Sequence, residues 1–346
     1  IRRPPRSTQS RSSAASDVYK RQVLALSLVL VACTGSGTDE SSCREREDGD
    51  TLNVLATTPM MGEFVSQVGG DNISLTVLMP PEANPHTYDP SPQDATTIAE
   101  ADLIFFTGLK YEPAPLLKLL ESSACSPEVL AEVGESVFPV EFKEGGHDDH
   151  DDHGEEGHDD EEEGHDEHEG HGHGAYDPHF WFDPNRVSYA AEYIEGKLIQ
   201  YDPTNEESYK SLTDTFTTEL KGLVNEVIEL IGMIPSGNRK LITTHESLGY
   251  LEAKFGLEVL ATIIPSLDSS DEVSPSDLVE VIEVIEEEGV KVMFVESETP
   301  SVYAETLAQE TGITLVTGLY VETLKPNQSY SEFLISNVEL IVNSLK

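Results

Sequence analysis

The sequence predicts an α/β protein of two lobes, each a parallel β-sheet flanked by helices, joined by one long backbone helix. Short apolar runs rich in β-branched residues alternate with helical segments in both halves of the chain, which is typical of βαβ units. Between these two blocks, residues 205–233 keep apolar side chains three to four positions apart, as an amphipathic helix does. A chain of 346 residues has room for two domains, each with its own core.

The first block predicts four strands and three helices. The strands are expected at 51–56, 73–79, 102–107 and 137–140, and the helices at 59–69, 91–100 and 113–123. The third strand, DLIFFT, is almost wholly apolar, which indicates burial on both faces of a sheet.

The second block repeats the alternation after Pro235-Ser236-Gly237-Asn238, a sequence that stops the long helix. Strands are expected at 240–244, 258–262, 290–296 and 314–317, and helices at 248–255, 276–288, 301–311 and 330–344. Ser274-Pro275 precedes one of these helices and Ser329 another, as helix caps do. The predicted organisation is therefore an N-terminal lobe at 51–204, a linking helix at 205–234 and a C-terminal lobe at 235–346.

The first 33 residues differ in character from the rest. Residues 1–22 are rich in Arg and Ser and resemble a translated adaptor sequence, so they are left out of the fold prediction. Residues 23–32 form an apolar run too short to span a bilayer. The run ends in Leu30-Val31-Ala32-Cys33, which resembles the lipobox of a prokaryotic lipoprotein signal peptide, with Cys33 as the lipidated residue. An ordinary signal peptide with a chance cysteine is the alternative.

Lipidation at Cys33 would anchor the protein to the cell membrane, outside the cytoplasm, with residues 34–50 as a polar tether. Disulfides form in that compartment. Cys43 and Cys125 are the two remaining thiols. They could pair, but the sequence does not decide it.

The net charge of −44 limits the classes of partner. Nucleic acid is excluded, because binding phosphates needs clustered Lys and Arg. An acidic surface attracts cations, although solubility alone explains much of it.

The eleven histidines fall into two groups. Eight lie in a tract at 145–174 built only of Gly, His, Asp and Glu, which is expected to be disordered unless metal orders it. These eight are candidate accessory metal ligands: His147, His150, His153, His158, His165, His168, His171 and His173. The tract would collect scarce metal, sense abundant metal, or be a dispensable solvated insert.

The other three histidines stand alone in loops at the ends of predicted elements: His86 in NPHTYDP, His179 in DPHFWFDP and His245 in TTHESLGY. Neutral imidazole is the commonest side-chain ligand of zinc, and the carboxyl ends of parallel strands gather ligands. Two of these histidines belong to the first lobe and one to the second, so a shared site would lie between the lobes. The fourth ligand would be a carboxylate or a water molecule. Four acids of the second lobe are candidates for a carboxylate ligand: Glu322, Glu296, Glu298 and Glu246.

From about residue 51 to its end, the chain resembles the zinc/manganese-type solute-binding proteins of metal ABC importers. The matching stretches are PHTYDPSPQD, DPHFWFDP, THESLGYLEAKFGL and LYVETLKPNQSYSEFLISN. The resemblance implies a metal held between two lobes by the three isolated histidines and a fourth ligand at Glu322, where many relatives carry Asp. It also implies delivery to a membrane permease, and the His-rich insert is typical of the zinc-importing branch. A monomer that is not an enzyme is expected.

Three imidazoles favour Zn(II) over Mn(II), which prefers more oxygen ligands, although copper and nickel also bind such sites. Affinity is expected to fall below about pH 6.5, where unperturbed imidazoles take up protons. A manganese-binding protein or an adhesin of the same fold remains an alternative. So does a zinc hydrolase, although no HExxH motif supplies a general base.

Overall fold

The computed structural model describes Cys43 and residues 49–142, 176–299 and 301–346. All of these residues belong to one unit, Ser42–Lys346. Residues 1–22, Cys33 and the tract at 145–174 lie outside the described residues, so what the sequence predicts for them stays a prediction.

The first lobe contains a parallel sheet of four strands in the order β2-β1-β3-β4. The strands are β1 (Leu52–Ala56), β2 (Ile73–Val77), β3 (Leu103–Phe106) and β4 (Leu130–Glu132). Three helices connect them: α1 (Pro59–Gly69), α2 (Pro92–Ala99) and α3 (Ala114–Ser123). The side chain of Thr58 caps α1 by accepting from the Met61 amide, and a proline stands in the first turn.

Two long helices follow the first sheet. They are α4 (Pro184–Tyr201), capped by the Asp183 side chain, and the backbone helix α5 (Glu206–Gly232). In the described part of the chain, no helix is both long and apolar enough to cross a bilayer.

The second lobe repeats the architecture with the strand order β6-β5-β7-β8, again all parallel. Its strands are β5 (Lys240–His245), β6 (Glu258–Ile264), β7 (Val292–Glu296) and β8 (Thr314–Leu319). Its helices are α6 (Gly249–Phe255), α7 (Pro275–Glu288), α8 (Val302–Thr311) and α9 (Tyr330–Leu345). The fold class predicted from the sequence is confirmed.

One apolar cluster runs through both lobes. It extends from Val54 of β1 through Leu220 of α5 to Phe294 of β7 and Ile341 of α9. Because buried side chains pack at nearly crystalline density, a shared core holds the two lobes to one body on the side of α5.

Two secondary-structure predictions were wrong. The strand expected at 137–140 does not form, because Gly134–Val137 is a 3₁₀ turn and Phe138 has a left-handed backbone with φ of 53°. The fourth strand is Leu130–Glu132, whose three residues are too few to show an alternating pattern. Helix α4 was not predicted at all, although its buried face repeats at three to four positions and Asp183-Pro184 is a helix start.

The pairing that the sequence left open is present: Cys43 and Cys125 form a disulfide. Cys43 falls within the predicted tether at 34–50, and Cys125 follows α3. The bond therefore attaches this point of the predicted tether to the first lobe.

Candidate metal centre

Four side chains from four different loops or strand ends converge between the lobes. His86, His179, His245 and Glu322 each offer one ligand atom, and these atoms all lie within 4.8 Å of one another. All four residues are buried, His86 being 6% exposed and the other three 0%. The four residues predicted from the sequence as metal ligands are thus brought together.

His86 lies in a 3₁₀ turn, Pro85–Thr87, after β2. Asn84 is the N-cap of this turn, and its Oδ1 accepts from the His86 amide at 2.9 Å. Pro85 follows, with a fixed φ suited to the first position of a turn. The His86 ring packs edge-on against the ring of Tyr111, with centroids 5.0 Å apart.

His179 immediately precedes the 3₁₀ turn Phe180–Phe182. Asp177 Oδ1 accepts from the His179 amide at 2.8 Å and lies 2.8 Å from His179 Nδ1. A carboxylate at Nδ1 makes that nitrogen the protonated one, which leaves the Nε2 lone pair for a metal.

His245 is the last residue of β5, and Glu296 is the last residue of the neighbouring strand β7. Because both strands run in the same direction, their carboxyl ends meet at one edge of the sheet. Glu296 there faces the His245 ring at Nδ1, as Asp177 faces that of His179. Two of the three imidazoles are thus fixed by buried carboxylates.

Glu322 lies in the loop between β8 and α9. The carboxylate of Glu298 holds this loop by accepting from three successive amides, those of Val321, Glu322 and Thr323, at 3.2 to 3.3 Å. The Glu322 Oε1 lies 3.3 Å from His86 Nε2, 3.4 Å from His179 Nε2 and 2.9 Å from His245 Nε2.

Two buried aromatic residues of the first lobe bind the Glu322 loop. The Tyr111 hydroxyl donates to the Glu322 carbonyl at 3.0 Å, and Trp181 Nε1 donates to the Val321 carbonyl at 2.8 Å. These two hydrogen bonds hold the loop that contains Glu322 in a fixed position relative to His86 and His179.

The atoms that face the centre of this cluster have no hydrogen-bond partner of acceptable geometry among the described residues. They are the Nε2 atoms of the three histidines and both carboxylate oxygens of Glu322. Glu322 Oε1 lies 2.9 to 3.4 Å from the three Nε2 atoms, but none of these contacts is a hydrogen bond of acceptable geometry. Buried polar atoms are nearly always satisfied in proteins. Five unsatisfied atoms of metal-binding type at one point therefore fit a bound cation.

Charges within the cluster shift the pKa values of its members. Burial lowers the pKa of His179, but the Glu322 charge and the Asp177 hydrogen bond outweigh it and raise the pKa to about 9. Burial likewise lowers the pKa of His245, and Glu296 and Glu322 together raise it well above its usual value. Burial raises the pKa of Glu322, but the charges of His86 and His179 hold it well below its usual range. These shifts favour protonated His179 and His245 beside an ionised Glu322 at neutral pH.

The other candidate carboxylates have different positions. Glu296 lies behind His245 and Glu298 lies beneath the Glu322 loop, while Glu246 accepts from the Thr262 hydroxyl at 3.1 Å. Burial and the nearby Glu322 charge raise the pKa of Glu298 to about 8. Glu322 alone of these four belongs to the converging cluster.

The sequence prediction missed three residues that position the cluster: Asn84, Tyr111 and Asp177. Asn84 and Asp177 each precede a histidine by two residues, the spacing at which an Asn or Asp side chain accepts from a backbone amide. That signal was available in the sequence. Tyr111 has no such local signal, because its hydrogen-bond partner, the Glu322 carbonyl, lies 211 residues away in the chain.

The chain is similar in sequence and in fold to known metal-binding proteins. The family model described as zinc-uptake complex component A, periplasmic, matches residues 54–344. The manganese ABC transporter substrate-binding lipoprotein PsaA of Streptococcus anginosus is 26% identical over 332 residues, covering 93% of this chain and 97% of that protein. The high-affinity zinc uptake system protein ZnuA of Bacillus subtilis (strain 168) is 29% identical over 328 residues, covering 93% and 96%. The structure of the periplasmic zinc-binding protein TroA of Treponema pallidum has a TM-score of 0.72 at 20% identity, covering 86% of this chain and 99% of that one, which shows the shared fold.

Proposed function

The chain belongs to the family of zinc-uptake complex component A, and on that premise we propose that it captures Zn(II) outside the cytoplasm for an ABC importer. As a family member it is the substrate-binding component of a metal ABC importer and not an enzyme, which removes the zinc hydrolase alternative. The observation that carries the zinc proposal is the convergence of three unpartnered imidazole nitrogens on one buried carboxylate.

The donor set favours zinc on chemical grounds. Three imidazole nitrogens and one carboxylate oxygen can complete a tetrahedral zinc site, whereas manganese prefers a larger number of oxygen ligands. The relatives described above are named for manganese and for zinc, so the family alone does not choose between these ions.

A comparison of affinities does not identify the transported ion, because most nitrogen and oxygen sites bind zinc more tightly than manganese. The test is therefore made in the source organism. Deletion of the gene should impair growth in metal-depleted medium, and added zinc but not added manganese should restore it. Restoration by manganese alone would contradict the zinc assignment.

The proposed function also requires a partner and a location. The partner is the membrane permease of the importer, which takes the ion from the cleft. Cys33 is the proposed lipid attachment site, and replacement of Cys33 by Ser should abolish incorporation of a labelled fatty acid and release the protein from the membrane. The eight histidines of the tract at 145–174 are proposed as an accessory collector. No contact of the described residues favours the adhesin alternative, and it is not proposed.

A further inference from the structure

The three histidines differ in where the carboxylates that face their Nδ1 atoms lie. Asp177 belongs to the same loop as His179, and Glu296 to the same sheet as His245. The carboxylate that faces His86 Nδ1 is that of Asp268, at 3.8 Å, and it comes from the opposite lobe. At 3.8 Å this carboxylate is too far away for a hydrogen bond, so the second lobe places a charge near His86 without fixing its ring.

The side chain of Asn84 connects His86 to the second lobe. Its Oδ1 accepts from the His86 amide at 2.9 Å, and its Nδ2 donates to the Ser269 hydroxyl at 2.9 Å and to the Thr299 hydroxyl at 3.3 Å. Ser269 is 6% exposed, so its contact with Asn84 is sheltered from water. The side-chain amide of Asn84 thus links the turn that contains His86 to the opposite lobe, through its oxygen on one side and its nitrogen on the other.

This contact lies on the solvent side of the cluster. His86 is the one residue of the four with measurable exposure, whereas His179, His245 and Glu322 are fully buried. The apolar cluster shared by both lobes closes the other side. The side chain of Asp268, which faces His86, is 46% exposed, so solvent comes close to the cluster at this contact.

We propose that Asn84 is a positioning residue that holds His86 against the metal only while Ser269 of the second lobe is in contact. This inference rests on the proposed function, since it assumes that the cluster holds a metal ion. Separation of the two loops removes the Asn84 contact and the Asp268 charge together, and His86 becomes the first ligand to detach. Release of the ion then follows from a small opening at one side of the cleft.

The test measures the rate of zinc release. Zinc-loaded full-length protein is mixed with an excess of a chromogenic chelator, and the slow phase reports the cleft site. Asn84→Ser retains a side-chain acceptor for the turn but loses the amide that reaches Ser269. The rate of the slow phase should rise about tenfold, because the variant loses one to two hydrogen bonds. Ser269→Ala removes the other partner and should raise the off-rate to a similar degree.

The double variant decides whether the two residues act together. Because each single change removes the same contact, Asn84→Ser/Ser269→Ala should release zinc no faster than the faster single variant. A general loss of packing would instead give additive effects and would overturn the inference.

A matched control is available at the amino end of strand β2, the end opposite to the loop that contains His86. Asn72 donates to the Ser208 hydroxyl at 2.9 Å, a contact of the same chemistry remote from the cluster. Asn72→Ser should leave the slow off-rate unchanged. A wild-type protein without a slow phase would overturn the proposed zinc site and this inference together. A slow phase that Asn84→Ser leaves unchanged would overturn the inference alone.

Discussion

Glu296 binds His245 at two points: its Oε1 accepts from the His245 amide at 3.1 Å, and its Oε2 lies 2.5 Å from His245 Nδ1. Both residues are buried and end adjacent parallel strands. The carboxylate thus fixes the ring plane and the protonated nitrogen at once, and it directs Nε2 to the centre of the cluster.

Replacement of Glu296 by Gln should lower the zinc affinity about 10- to 100-fold, because a neutral amide orients the imidazole less well and makes it less basic. Chelator competition measures the affinity. Glu288→Gln is the control, since Glu288 pairs with Lys240 at the surface of the same lobe. Equal affinities for the two variants would show that Glu296 does not orient a ligand.

The metal-free protein should lose stability as the pH rises from about 6.5 to about 9. The pKa of His179 rises from 6.5 to about 9 in the folded state, so its proton stabilises the fold fully below pH 6.5 and no longer does so above pH 9. Thermal unfolding of metal-free protein across this range measures the effect. A melting temperature that rises between pH 7 and pH 9 would contradict it.

Zinc affinity should change in the opposite direction over the same range, because the ion must displace the protons from His179 and His245. The sequence alone places the fall in affinity below about pH 6.5, and the contacts with Glu322, Asp177 and Glu296 move it upward. Calorimetry in buffers of different ionisation enthalpy should show proton release on zinc binding at pH 7.5. Binding without proton release at that pH would refute the assigned shifts.

Loss of the Cys43–Cys125 disulfide should lower the free energy of unfolding by about 2–5 kcal/mol, since the bond closes a long loop. The zinc affinity should stay unchanged, because Cys125 precedes β4 and so lies near the amino edge of the sheet, away from the cluster. A Cys43→Ser/Cys125→Ser variant tests both expectations by chemical denaturation and chelator competition. A large loss of affinity would show that this segment contributes to the metal centre.

Deletion of residues 145–174 should leave one tight zinc ion per chain and remove the weaker ones. The tract contains eight of the eleven histidines, whereas the converging cluster contains the other three. Equilibrium dialysis with metal analysis gives the stoichiometry. Loss of the tight site together with the weak ones would place the primary site in the tract.

Much of the fold could be predicted from the sequence because its strands and helices carry local patterns. Helix α1 was predicted to the residue, and the long helix α5 to within one residue at each end. The three-residue strand β4 has no such pattern. The candidate ligands His86, His179 and His245 could be named because each lies in a distinctive motif.

The roles of the carboxylates depend on strand order, which the local sequence does not encode. Glu296 reaches His245 because β7 lies next to β5, two strands that are not consecutive in the chain. Glu298 acts on the loop of Glu322 from 24 residues away, and Asn84 reaches Ser269 from 185 residues away. The first two contacts arise only when the second sheet forms, and the third only when the lobes pack together.

The most direct test of a zinc site made by His86, His179, His245 and Glu322 is a crystal structure of the zinc-loaded protein with anomalous data at the zinc edge. One strong anomalous peak should lie about 2.0–2.2 Å from the three Nε2 atoms and from a Glu322 oxygen. Absence of a peak at the cluster, or a peak there that His245 and Glu322 do not contact, would contradict the account.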